Sequence, residues 1–241
     1  KSWQNNIAIH HKLTSAKPTK MHALIEKALK RNHLNSHITQ NIDGLHTSQE
    51  CIPDQIIEIH GTTRKAACLN CYEEYDVKDF YEEYSKADNF PLCPKCQNGY
   101  VKVATISFGQ QLDSAKLSLA KEKSSQCRYF IVMGSSLKVS PANHFPRIAL
   151  NNNAKLIILN YDSTPLDSAA EFVINEKLEN IYELLAPRPI TVAARWRWKC
   201  EADCRAPCRV GPGPMALTRT RGASPCAAVW VRVQSPALAM V

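Results

Sequence analysis

Four cysteines fall in two couples, Cys68-x-x-Cys71 and Cys93-x-x-Cys96, with 21 residues between them. This is the spacing of a tetrahedral zinc site: each couple forms a tight turn presenting two thiolates, and the intervening segment folds back to bring the couples together. Four thiolates leave no open coordination position, so such a centre organises structure and performs no reaction of its own. The bland alternative is four free or disulfide-bonded thiols. Shortly before the first couple, His60 follows the apolar run Ile56-Ile57-Glu58-Ile59 and precedes Gly61. An imidazole on a loop where glycine lets the backbone approach a ligand can move a proton near neutral pH, although a lone histidine is more often structural. Asn41 and Asp43 flank Ile42; their side chains can bind hydroxyls and an amide, or form an Asx turn into Gly44. Gly134-Ser135-Ser136 offers small residues and hydroxyls near a helix start, a combination suited to phosphate or ribose.

These residues need elements that carry them. Met21, Leu24, Ile25, Ala28 and Leu29 form one helical stripe, opened by Pro18-Thr19, with His22 as a packed or capping side chain in the first turn. Ile38 to Asn41 and Ile56 to Ile59 read as short buried strands. Val101 to Phe108 reads as extended, and Leu112, Ala115, Leu119 and Ala120 mark a helix. Tyr129 to Met133 and Lys155 to Leu159 are continuous apolar runs. The helix between them is expected to begin near Pro141 and to be interrupted at Pro146. Strand, helix and strand with buried runs predict parallel pairing through a right-handed crossover. Ligands of such sheets bind off the carboxyl ends of the strands. Here every such end is polar: Gln40-Asn41-Ile42-Asp43, His60-Gly61, Gly134-Ser135-Ser136 and Asn160-Tyr161-Asp162.

The net charge of +8 is unevenly spread. Residues 1–187 hold 21 Lys and Arg against 20 Asp and Glu, whereas residues 188–241 hold nine against two. A near-neutral body with a basic tail argues against nucleic-acid binding, which would rest on the tail's charge alone. No apolar run reaches the 18 residues that would indicate a membrane span. Paired cysteine couples without an extracellular signature suit a reducing, cytoplasmic setting. The body has 15 Asn and the tail none; the tail has eight Arg and one Lys. Residues 188–241 are therefore expected to be of unrelated origin and disordered. Their Cys200, Cys204 and Cys208 lack a fourth ligand at matching spacing.

Taken in order, Ile38-Thr39-Gln40-Asn41-Ile42-Asp43-Gly44-Leu45-His46, Glu58-Ile59-His60-Gly61-Thr62, the four-cysteine module, Ser107-Phe108-Gly109 and Gly134-Ser135-Ser136-Leu137 resemble the sirtuin family. The resemblance covers roughly residues 16–187. It implies an NAD-dependent protein lysine deacylase with NAD and Zn2+ as cofactors and an acyl-lysine protein or peptide as partner. The implied mechanism has the acyl oxygen attack the nicotinamide ribose carbon of NAD, with nicotinamide leaving. His60 then acts as general base on a ribose hydroxyl, and the acyl group moves to ADP-ribose. Imidazoles titrate near about 6.5, which suits that role. The resemblance gives Gln40 and Asn41 the ribose hydroxyls and Asp43 the nicotinamide amide. It gives Gly134, Ser135, Ser136, Asn160, Tyr161 and Asp162 the phosphates and adenosine ribose. The peptide would add as a strand along Ser107-Phe108-Gly109.

The expected fold class is α/β: a partial Rossmann-like parallel sheet over 1–63 and 104–187, a zinc-ribbon module inserted at 64–103, and the tail. Departures from the family accompany the match. No glycine precedes Gly44, so the Gly-rich phosphate loop and first strand are expected to be missing and activity impaired. The alternative function is a non-catalytic zinc-binding remnant. The acidic residue of the family's FGE segment is Gln110 here, and Glu176 and Leu178 stand where small residues usually meet the adenine.

Overall fold

The computed structural model describes residues 13, 15–46, 55–84, 90–107, 109–185 and 227–231. Helix α1 (Lys20–Lys30) starts where Thr19 and His22 form a reciprocal cap. The Thr19 N–H donates to His22 Nδ1 at 3.1 Å, and the Thr19 hydroxyl oxygen accepts from the His22 N–H at 3.4 Å. The histidine therefore takes the place that Glu or Gln usually fills in such a box.

The strands β1 (Ser36–Thr39), β2 (Ile56–Glu58), β6 (Tyr129–Met133), β7 (Lys155–Leu159) and β8 (Phe172–Ile174) belong to one sheet. They share it with β9 (Ala227–Val231). Its order is β2-β1-β9-β6-β7-β8 and every pair is parallel. Successive residues of β6 divide between two cores, as the two-residue period of a strand requires. Phe130 and Val132 join Ile38, Ile57, Ile158 and Ala149, whereas Met133 packs with Met21, Ile25, Leu29 and Ile181. Helices α3 (Ser114–Gln126) and α4 (His144–Asn151) thus cover one face. Helices α1 and α5 (Leu178–Leu185) cover the other. This is the doubly wound arrangement expected of buried parallel strands.

Two expectations are corrected here. Helix α4 begins at His144, and Pro146 does not interrupt it. The proline lies in the first turn, where its missing N–H has no intrahelical partner to lose. The second correction concerns the tail. Residues 227–231 form a strand in the centre of the sheet, pairing Ile38 with Trp230 on one side and Val132 with Trp230 on the other. That slot joins the β1–β2 half of the sheet to β6–β8. The five-residue run is apolar, so it suits a position hydrogen-bonded on both sides. Composition over the whole tail masked this local run. Residues 188–226 and 232–241, with Cys200, Cys204 and Cys208, lie outside the described residues.

A second, antiparallel sheet orders β4 (Glu74–Asp76), β3 (Gly61–Cys68) and β5 (Val101–Thr105), with helix α2 (Lys78–Tyr84) following β4. Strand β3 runs unbroken through residue 64, the boundary expected from the sequence. One continuous strand therefore carries the chain from the His60 loop into the cysteine module. Among the described residues no helix is long and apolar enough to cross a membrane.

Candidate functional site

The four cysteine sulfurs lie within 4.8 Å of one another. Cys68 Sγ is 3.7 Å from Cys96 Sγ, and Cys71 Sγ is 3.6 Å from Cys93 Sγ. Zinc–sulfur bonds of about 2.3 Å at tetrahedral angles place ligand sulfurs about 3.8 Å apart, so the cluster fits a zinc ion. Backbone N–H groups of Asn70 and Cys71 point at Cys68 Sγ from 3.3 and 3.4 Å, and that of Cys96 at Cys93 Sγ from 3.5 Å. Burial opposes ionisation of Cys93, but the Cys96 N–H, the Tyr75 hydroxyl at 3.0 Å, the Lys95 N–H and the Cys71 thiol outweigh it and lower its thiol to about 6. Gly99 has no room for a side chain, since a Cβ would sit 2.5 Å from Cys68 Sγ.

The sheet register brings the polar strand ends to one rim. Thr39 stands level with Glu58 on one side and Val231 on the other; Val231 is level with Met133, Met133 with Leu159, and Leu159 with Ile174. The residues immediately beyond, Gln40-Asn41, Ile59-His60, Gly134 and Asn160, therefore share one edge. All four polar ends expected from the sequence meet there. Asn41 is buried and its N–H donates to Thr39 Oγ1 at 3.0 Å. The loop that follows is pinned to β3, because Thr63 donates to the Ile42 carbonyl from both its N–H (2.9 Å) and its hydroxyl (2.8 Å). His60 is half-buried, its carbonyl accepting the Ile106 N–H at 3.0 Å.

Asp43 makes the Asx turn anticipated from the sequence, its Oδ1 accepting the Leu45 N–H at 3.0 Å. Its other oxygen, Oδ2, is buried without a hydrogen-bond partner. Burial raises its pKa; Glu58 adds to the rise, and the Leu45 N–H, His46 and Arg64 oppose it. A buried unpaired carboxylate oxygen is costly, so this atom marks a place for a donor. Asp43 borders a cavity of about 820 Å³ also lined by Glu58, Thr62, Arg64 and Tyr75.

On the far side of the rim, Gly134 has φ +62° and its N–H donates to the Leu159 carbonyl at 2.9 Å. Ser135 is buried, its hydroxyl oxygen accepting the Leu137 N–H at 3.3 Å, while Ser136 is half-buried. Asn160 is buried and donates to the Asp162 carbonyl at 2.7 Å, leaving Tyr161 and Asp162 exposed. Glu176 accepts the Lys177 N–H at 2.7 Å. The expected peptide segment is partly engaged within the chain. The Ser107 N–H donates to Gln110 Oε1 at 3.2 Å, and its carbonyl accepts the Gln110 N–H at 2.9 Å. Phe108 lies outside the described residues. Gly109 has φ +82° and open space around it.

Sequence reasoning singled out neither Glu58 nor Arg64, and it quoted His46 only as part of a motif. Histidine and arginine in polar segments, and a single glutamate within an apolar strand, read as solvated; the available signal was their closeness to Asp43 and His60.

A family model described as the Sir2 family matches residues 1–141. An NAD-dependent protein deacetylase of Shouchella clausii is 45% identical over 140 residues, spanning 58% of this chain and 55% of that protein. One from Rhodopseudomonas palustris is 34% identical over 186 residues, spanning 77% and 72%. Among solved structures, a Sir2 bound to acetylated peptide superposes with a TM-score of 0.67 at 32% identity, over 72% of this chain and 71% of the other. A Sir2 complex with p53 peptide and NAD+ gives 0.66 at the same identity and coverage. The chain thus spans from little more than half to about seven-tenths of these proteins. With the family model covering more than half of the chain and the four-cysteine module and polar rim in place, the chain belongs to the Sir2 family.

Proposed function

We propose that this protein is an NAD-dependent protein lysine deacylase, with the polar rim as its NAD and acyl-lysine site and the cysteine module as its structural zinc centre. The observation that carries the reading is Asp43 Oδ2, a buried acceptor with no partner, which fits a carboxamide N–H. NAD supplies the ribose carbon that takes the acyl oxygen when nicotinamide departs. Asp43 holds the carboxamide, and Gln40 and Asn41 bind ribose hydroxyls from the loop pinned by Thr63. His60, on the adjacent loop, accepts the proton of a ribose hydroxyl through its imidazole. The backbone and hydroxyls of Gly134, Ser135 and Ser136 receive phosphate oxygens at a strand end, with Asn160, Tyr161 and Asp162 toward the adenosine ribose. The peptide adds along Ser107-Phe108-Gly109, exchanging the Gln110 contacts of Ser107 for intermolecular ones. Division into 1–63 with 104–187, an inserted 64–103 module and the tail is consistent with these roles, although β3 spans the first boundary and residues 227–231 of the tail join the main sheet. Zinc thiolates persist best in a reducing compartment, so we place the protein in the cytoplasm.

The test is nicotinamide release from NAD in the presence of an acetyl-lysine peptide. Release that requires the peptide and disappears in His60→Ala supports the reading. Absence of release from folded, zinc-loaded wild-type protein, or release unchanged in His60→Ala, overturns it.

A further inference from the structure

Six buried side-chain nitrogen or oxygen atoms lack hydrogen-bond partners among the described residues, and five belong to Ser36, His37, Asp43 and His46. Of these, His37 in β1 and Asp43 and His46 in the loop that follows it lie against one another. His46 stands at the centre. Its Nε2 is 3.0 Å from Glu58 Oε1 and its Nδ1 is 3.8 Å from Asp43 Oδ1; the His46 side chain is 2% exposed and that of Asp43 0%. The ring of His37 meets it edge-on at 5.5 Å.

An ionised Glu58 can only accept, so His46 Nε2 carries the hydrogen of that contact. Nδ1 faces Asp43 Oδ1, too far for a hydrogen bond; with that nitrogen protonated as well, the cationic ring favours the carboxylate in a buried setting. The imidazole also separates two carboxylates. Without it the Glu58 charge would act on Asp43 unopposed by the ring and favour its protonated form. Glu58 lies two residues before His60 at the end of β2, whereas Asp43 lies in the loop after β1. The ring is thus a strut between the two halves of the site.

We propose that His46 is a positioning residue which, by bridging Glu58 and Asp43, holds the Asp43 carboxylate ready for the nicotinamide carboxamide. This rests on the deacylase reading above. The other charged or titratable groups acting on the cluster are His22 from α1, His37 from β1, Arg64 from β3 and, on Glu58, Lys116 from α3. His46 reaches both carboxylates, at 3.0 and 3.8 Å.

Two measurements test the proposal, one of them independent of turnover. Carboxyl-carbon NMR follows the titration of Asp43 in wild type and in His46→Gln, whose amide can still donate to Glu58. Asp43 should hold its proton to higher pH in the variant; an unchanged midpoint overturns the proposal. In steady-state assays, His46→Ala should raise KM for NAD and the nicotinamide inhibition constant by about tenfold, with kcat within about threefold, and His46→Gln should recover part of the loss. A matched fall in kcat and melting temperature with KM unchanged would make His46 merely structural. If Asp43 shifts as expected while wild-type protein releases no nicotinamide, the deacylase reading fails and the hold of His46 on the carboxylate stands.

Discussion

Gly61 lies against Ala104 so closely that a Cβ on Gly61 would stand 1.9 Å from the Ala104 carbonyl oxygen, and its φ is +75°. This contact sets His60 beside the Thr105–Ile106 segment, where the Ile106 N–H reaches the His60 carbonyl at 3.0 Å. The blocking atom is backbone, so no side-chain rotation relieves it. Gly61→Ala should cost more than about 2 kcal/mol, from left-handed strain and displacement of β5. At this size that corresponds to a melting temperature lowered by at least about 5 °C. A melting temperature within a degree of wild type would refute the contact.

Metal analysis should find one zinc per chain, and Cys93→Ser should lose it. Structural zinc contributes directly to folding free energy. Chelation should therefore expose β3–β5 to protease near Leu69 and Tyr72, which are already exposed, while the apolar cores flanking β6 persist. A metal-free chain with an unchanged cleavage pattern would show that the four thiols need no ion.

Stability should fall as pH drops from about 6.5 toward 4. Burial lowers the pKa of His22 to about 4 from an ordinary 6.5, and burial holds His37 well below its ordinary value. Between those pH values the unfolded chain binds more protons than the folded one, so stability rises with pH across the window. His22 alone accounts for about 3 kcal/mol between the ends of that range. The buried Asp43, whose pKa is raised, acts in the opposite direction above its ordinary 3.8. Urea unfolding at pH 7 and pH 5 should show the loss in wild type and a flatter dependence in His22→Gln. An identical slope in the variant would remove His22 from the account.

The amides of residues 227–231 should exchange with solvent as slowly as those of β1 and β6, since the strand pairs on both sides. Val229→Pro removes a ladder donor from the middle of a central strand and should abolish cooperative unfolding. Rapid exchange at residues 227–231 beside protected β6 amides would remove β9 from the sheet.

Much of this protein is decided locally. The strands Tyr129–Met133 and Lys155–Leu159 match the runs read from the sequence residue for residue, because beyond its exposed first residue a strand covered on both faces must be apolar. The paired cysteine spacing likewise implied a cluster of four sulfurs, since a CxxC turn fixes its two thiols within a few bonds. The polar strand ends were legible for the same reason, and the resemblance carried by residues 38–46 and 58–62 named the family.

Other features depend on residues distant in sequence. The extra strand at Ala227–Val231 depends on an opening between β1 and β6 that only the assembled sheet presents. The tail's composition, averaged over 54 residues, carries no trace of it. Gly61 pressing on Ala104 is likewise a contact between backbone segments far apart in the chain. Above all, His46 and Glu58 each look like an ordinary polar residue in the sequence. They are twelve residues apart, and only the parallel pairing of β1 with β2 buries them together beside Asp43. Burial, which no single residue specifies, converts them from solvated side chains into groups that govern a carboxylate's charge.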